Sequence, residues 1–266
     1  MHNDYEHILT EVRGHIFIIT FNRDEVRNAM NAKMRGEIRH AMEGFEADGN
    51  LRAAIITHVG NCFCSGSDLK EIAAGKHYPP DEYKNKEHWG FGALTRHVFS
   101  KPVILAIEGK CLGGGAEILL AQDMAIVSED STISMPEVKQ GLMPDMGGAG
   151  TAMRQLSTKI AMELLLSAQP ITAQRAYEIG LVNHVVPKGQ ALARAVELAE
   201  KICENAPVAV RYTKAMAYKS LDTSLYYTTN SWDMFGYYKK LNEQTEDSKE
   251  GPKAFAEKRP PRWRNC

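Results

Sequence analysis

Hydrophobic and polar positions follow two rhythms along the chain. Residues 15–21, HIFIITF, are apolar and β-branched, the composition of a strand. From 28 to 48 the rhythm changes. Met30, Met34, Ile38, Met42 and Phe45 recur at helical spacing with charges between them, which predicts a helix packed along one face. Two further apolar runs, 51–60 and 101–109, predict buried strands. A glycine turn follows, then a helix over about 114–121 and a strand over 124–130. Strand–helix–strand alternation of this kind argues for parallel pairing in an α/β domain. Past about residue 190 the pattern is helical only, with no strand expected. This predicts an α/β core over 1–190 and a helical region over 191–266 that packs against the core or another subunit. No internal repeat or low-complexity segment interrupts the pattern.

Composition narrows the class. Hydrophobic residues make up 44% and charged residues 24%, enough apolar material for a real core. Lys and Arg number 32 against 33 Asp and Glu, so no electrostatic footprint for nucleic acid or an anionic membrane surface exists. No apolar run approaches the roughly 18–20 residues of a membrane span, and the N-terminus has no signal or transit pattern, so a cytoplasmic location is expected. The five cysteines are too few and too scattered for a disulfide framework. Cys62 and Cys64 form a C-x-C without a second pair at zinc-site spacing, so buried free thiols are expected.

Three stretches hold candidate chemistry. In NCFCSGSDLKEI (61–72), Ser65, Gly66 and Ser67 form a small-residue turn after a strand, and such a turn can leave the N–H near Ser67 pointing into free space. In GKCLGGGAEILLAQD (109–123), glycines at a helix mouth allow close approach of a ligand to unpaired N–H groups, with Glu117 one turn further on. Two such N–H groups are the parts of an oxyanion hole. In ISMPEVKQGLMPDMGGAG (133–150), Glu137 lies among apolar neighbours, and desolvation should raise its pKa toward neutrality. Asp145 sits in a turn beyond it. Each has a plainer explanation alone: Asp68 as a helix cap, Glu117 complementing a helix dipole, Glu137 as an exposed loop acid and Asp145 as turn chemistry.

The three together change the reading. CSGSDLKEI (64–72), GGGAEILLAQD (113–123) and MPEVKQGLMPDMGG (135–148) resemble, in order and separation, the signature segments of the crotonase (enoyl-CoA hydratase/isomerase) superfamily. RNAMN (27–31), AQRAYEIGLVNHVVP (173–187) and EGPKAFAEKRPPRW (250–263) extend the resemblance over nearly the whole chain. The resemblance implies an α/β fold, a crotonase-like spiral of repeated β-β-α units with a helical C-terminal oligomerisation region. It implies an acyl-CoA substrate whose thioester carbonyl accepts two backbone N–H bonds, here from Ser67 and Gly114, with Ser67 standing where Ala is more usual.

Glu117 and Glu137 match the two glutamates of the hydratases, which hold a water between them. One activates it toward Cβ and the other delivers a proton to Cα. Asp145 departs from the hydratase pattern, which has Gly here. An acid at this place resembles dienoyl-CoA isomerases, ring-epoxide isomerases and carnitinyl-CoA dehydratases, and the last also have both glutamates. A third acid could recognise a cationic or hydroxylated acyl group. By the same resemblance CoA contacts fall to Val26, Arg27, Ala29, Ser65, Asp68 and Leu69, and to Lys253 and Phe255, which would reach a neighbouring subunit's CoA. The plain alternatives for the last two are a surface cation and a core aromatic. No metal or redox cofactor is implied, CoA being part of the substrate, and the expected assembly is a homotrimer or a dimer of trimers. The reading favoured is reversible hydration of a 2-enoyl-CoA. The alternatives are an isomerase with Asp145 or Glu137 as base, and an inactive relative that binds CoA or RNA. Residues 75–95 would set the depth of the acyl pocket.

Overall fold

A computed structural model describes residues 5–74, 89–222 and 229–266. The chain opens on an antiparallel pair, β1 (Ile8–Arg13) and β2 (Ile16–Phe21), the latter where the 15–21 pattern placed it. The pattern did not reveal β1, because it is an edge strand in which only Ile8 is buried. Helix α1 spans Ala32–Ala47 and begins four residues later than its apolar spacing suggested. Arg27 and Asn28 adopt left-handed φ values of 56° and 52°, and Asn31 caps the helix by accepting the Met34 N–H at 2.8 Å. Met30 is still buried, but as an extended residue bridging in parallel to Ser67.

Three successive strand pairs then build the core: β3 (Ala53–His58) and β4 (Cys62–Cys64), β5 (Val103–Ile107) and β6 (Lys110–Leu112), and β7 (Met124–Ser128) and β8 (Thr132–Ser134). Helices α2 (Leu69–Ala73) and α3 (Gly114–Ala121) follow the first two pairs. Helices α4 (Gly148–Gln155) and α5 (Thr158–Ser167), strand β9 (Ile171–Thr172), helix α6 (Ala173–Glu178) and strand β10 (His184–Val186) complete this part. The first strand of every pair enters a six-stranded sheet of order β1-β2-β3-β5-β7-β10. The second enters a four-stranded sheet of order β4-β6-β8-β9. That alternation between sheets is the spiral of β-β-α units. Three-residue strands such as β4, β6 and β8 are too short to announce themselves by periodicity, and so were not expected individually.

Among the described residues past 190 every regular element is a helix: α7 (Ala191–Cys203), α8 (Pro207–Ser220), α9 (Thr229–Glu243) and α10 (Glu246–Ala256). Helix α7 lays Ala191, Ala195, Ala199 and Cys203 against Ile18, Ile55, Ile104 and Ile126 on one face of the larger sheet. Small residues at four-residue spacing let the helix sit close, so α7 closes the core although it lies beyond residue 190. The opposite face, with Phe17, Ile19, Ile56 and Leu105, packs on the apolar side of α1 and the smaller sheet. Helix α8 is tied down by Lys214, which donates to Asp123 Oδ2 at 2.6 Å, while Tyr218 donates to Asp123 Oδ1 at 2.8 Å.

Candidate active site

Strands β4, β6 and β8 are neighbours and parallel, with Cys64 opposite Cys111 and Leu112 opposite Ser134. Their C-terminal ends therefore release three segments side by side: Ser65–Ser67, Gly113–Gly115 and Pro136–Glu137. The Gly113 N–H donates to the Ser134 carbonyl at 3.0 Å and ties the second segment to the third. A cavity of about 490 Å³ opens over these ends, lined by residues of all three together with Glu117, Asp145 and Met146.

The two expected donors face the same space. The Met30 N–H donates to the Gly66 carbonyl at 2.9 Å, and the Asp68 N–H to the Met30 carbonyl at 3.1 Å. In a trans peptide the N–H points opposite to the C=O, so the Ser67 N–H turns away from that pairing. Gly114 is the first residue of α3, and its N–H has no acceptor within the helix. Gly113 before it holds φ 54° and ψ −124°, a region that side chains rarely enter. A Cβ at Gly114 would come within 2.4 Å of the Phe91 ring, and one at Gly66 within 3.4 Å of the Gly114 nitrogen. The two turns are thus in contact, and neither N–H is covered by a side chain of its own glycine neighbours.

The acids stand across the cavity from one another in different states of support. Glu117 is 5% exposed. Its Oε1 accepts the Met146 N–H at 3.0 Å and the Gly148 N–H at 2.9 Å. Burial outweighs those two donors and raises its pKa from 4.5 to about 7, with the nearby Glu137 adding to the rise. The Glu137 side chain is buried at its tip, and among the described residues neither carboxylate oxygen finds a hydrogen-bond partner. Desolvation raises its pKa too, and the Asp145 charge adds to it. The site thus holds two carboxyl groups whose pKa values burial raises, one anchored by N–H groups and one without a hydrogen-bond partner among the described residues. Asp145 is exposed on the cavity rim beside Leu142 and Met143, which are also exposed.

The remaining candidates divide. Ser65 and Leu69 line the cavity with Ser67. The segment holding Val26, Arg27 and Ala29 runs along the outside of the 65–68 turn, where the Arg27 carbonyl accepts the Ser65 N–H at 3.1 Å. The Asp68 carboxylate is engaged in the fold: it caps α2 through the Lys70 N–H at 3.1 Å and pairs with Arg23 at 2.9 Å. Lys253 and Phe255 lie on α10 and do not reach this cavity within one chain. Lys253 lines a separate hollow of about 260 Å³ among the charged residues of α10 and the C-terminus. Phe255 is 87% exposed and is no core aromatic. The reading of pocket depth falls mostly on 75–88, outside the described residues.

Four contributors escaped the sequence reading. The Met146 and Gly148 N–H groups hold Glu117, while Arg35 and Phe91 line the cavity. Nothing in their spacing marked them: Arg35 is one charge among several on α1, and Phe91 lies far along the chain from either turn. Among the described residues no cluster of three or more His, Cys, Asp or Glu is arranged to hold a metal. Burial pushes the thiols of Cys62 and Cys64 up to about 11 and about 12, so both stay protonated near neutrality.

Known proteins are similar to this chain over nearly its whole length. The model of a family described as enoyl-CoA hydratase/isomerase matches residues 11–265. The enoyl-CoA hydratase EchA19 of Mycobacterium tuberculosis is 36% identical over 260 residues, covering 97% of this chain and 96% of its own. A carnitinyl-CoA dehydratase of Proteus mirabilis is 37% identical over 256 residues, covering 95% and 96%. The crystal structure of the enoyl-CoA hydratase EchA1 of Mycobacterium marinum superposes with a TM-score of 0.90 at 37% identity, covering 98% of this chain and 99% of that one.

Proposed function

The chain belongs to the enoyl-CoA hydratase/isomerase family, and on that premise we propose that its cavity adds water reversibly across the 2,3 double bond of an acyl-CoA thioester. It is an enzyme of the hydro-lyase type. The observation that carries the reading is the pair of glutamates, one buried and one half-buried, with raised pKa values, lining one cavity with two backbone N–H groups. The thioester oxygen would accept the Ser67 and Gly114 N–H bonds, which strengthen as electron density moves onto it from the double bond. A water held between the acids gives a proton to ionised Glu117 as its oxygen bonds to Cβ. Protonated Glu137 delivers its proton to Cα, the enolate electron pair forming the new C–H bond. Glu117 then carries the proton taken from water, and the two acids are reset by exchange with solvent. The two N–H donors on Glu117 stabilise the carboxylate that it presents to the water, which supports its role as the base.

These steps use carboxylates and backbone groups alone, and CoA enters as part of the substrate. The exposed position of Asp145 gives no support to a role as an isomerase base. Its place on the rim supports contact with a polar or charged acyl group. The exposed Trp232, Tyr237 and Phe255 of α9 and α10 support assembly of copies through the helical end, as a homotrimer or dimer of trimers. We place the protein in the cytoplasm; no helix among the described residues is long and apolar enough to cross a membrane.

Incubation with crotonyl-CoA tests the function. Loss of the enoyl-thioester absorbance, abolished in both Glu117→Gln and Glu137→Gln, is expected. Persistence of that absorbance with the unmodified protein, alongside isomerisation of a 3-enoyl-CoA, would overturn the hydratase reading.

A further inference from the structure

Ser67 contributes more than a backbone N–H. Arg35 Nη2 donates to Ser67 Oγ at 2.9 Å. A guanidinium has no acceptor, so in this bond the hydroxyl must be the acceptor and its own proton is left to point elsewhere. Among the described residues that proton meets no acceptor. Ser67 and Arg35 both line the cavity that holds the glutamates. Burial lowers the Arg35 pKa, but a guanidinium stays charged at any working pH.

We propose that the Ser67 hydroxyl is a third hydrogen-bond donor to the thioester oxygen, oriented and polarised by Arg35 as a positioning residue. The inference rests on the hydratase reading above and adds a side-chain group to its two backbone donors. An alanine at this position would supply the N–H alone. With serine, the oxygen lone pairs face the guanidinium and the proton is delivered toward the substrate. Accepting a charge-assisted bond strengthens the hydroxyl as a donor in turn, because successive hydrogen bonds polarise one another. The benefit grows as the carbonyl becomes an enolate, so it belongs to turnover and not to ground-state binding. Arg35 also braces the second turn. Its guanidinium lies 4.9 Å from the centre of the Phe91 ring, and Phe91 fills the space beside Gly114 where a Cβ would stand.

Steady-state kinetics with crotonyl-CoA on the full chain tests this. Ser67→Ala keeps the N–H and is expected to lower kcat roughly ten- to a hundredfold, with KM changed less than about threefold. Arg35→Met is expected to lower kcat similarly, and the double variant to be no slower than the slower single one. Arg35→Lys, which keeps a cation and a donor, should recover part of the rate. Wild-type kcat in Ser67→Ala overturns the proposal, and so do losses that multiply in the double variant. Should Arg35→Met fail to fold, Ser67→Ala decides alone, since it removes one oxygen from a half-buried side chain. Glu117→Gln and Glu137→Gln assayed in parallel separate the two levels. Inactive glutamate variants beside an unimpaired Ser67→Ala sink this inference only; an unmodified protein that leaves crotonyl-CoA intact sinks the hydratase reading itself.

Discussion

Replacing Gly148 by alanine should cost activity out of proportion to stability. The added Cβ would stand 2.5 Å from Met135 Cε, 2.7 Å from Glu117 Cγ and 2.8 Å from Glu117 Oε1. Ordinary carbon contacts lie near 3.5–4.0 Å, so something must move by about 1 Å. Met135 is fully buried, whereas Glu117 lines the cavity, which leaves its carboxylate as the part with somewhere to go. Overpacking costs about 1–3 kcal/mol, partly offset by up to about 1 kcal/mol from a better helix former at the first residue of α4. The melting temperature should therefore fall by only a few degrees.

A catalytic group displaced by about 1 Å can lose roughly a hundredfold in rate. The pH profile should move as well. In the proposed mechanism Glu117 is a base in its ionised form, and its two N–H donors hold the pKa down to about 7 against burial. Shifted off those donors, the carboxylate titrates higher, and the rising acid limb of kcat against pH moves to higher pH. The assay is crotonyl-CoA hydration over pH 5 to 9, with a thermal melt on the same preparation. A variant with wild-type kcat and an unmoved acid limb would refute the placing of Glu117 by these N–H groups.

Two further outcomes follow from buried polar groups. The folded pKa of Glu117 is raised from 4.5 to about 7, so its contribution favours folding most below pH 4.5 and is lost as pH rises through 7. Glu117→Gln should therefore be more stable than the unmodified protein at pH 8, by up to about 3 kcal/mol, with the advantage fading toward pH 5; a pH series of thermal melts checks it. Asn28 is fully buried, and its side chain donates to the Val59 and Cys62 carbonyls while accepting the Arg23 N–H. Asn28→Ala strands those partners and should cost about 3–5 kcal/mol, read as a lower urea midpoint together with impaired activity from the loosened 65–68 turn.

Much of the fold could be read from periodicity, and the physical reason is local. Burial on one side of an element leaves a trace of period two or 3.6 along that same element, and the runs at 15–21, 51–60, 101–109 and 124–130 all became strands of one sheet. Helix α3 lies where its glycines and apolar run placed it. The segments that resemble the crotonase superfamily likewise marked Ser67, Gly114, Glu117 and Glu137, each of which has a plainer explanation when its own stretch is taken alone.

Tertiary structure decided what no window contains. The parallel register of β4, β6 and β8 sets three distant segments side by side, since each crossing of the spiral returns the chain by one strand spacing. That register brings the Met146 and Gly148 N–H groups over Glu117 and the Arg35 guanidinium onto Ser67. Asp68 looked available for a ligand, yet Arg23 and the first turn of α2 occupy it. Asp145 and Glu137, eight positions apart on one strip of sequence, received opposite environments: one carboxylate lies on the rim and the other is buried without a partner. An acid's chemistry follows from its distance to water and to donors, and both are properties of the packed chain.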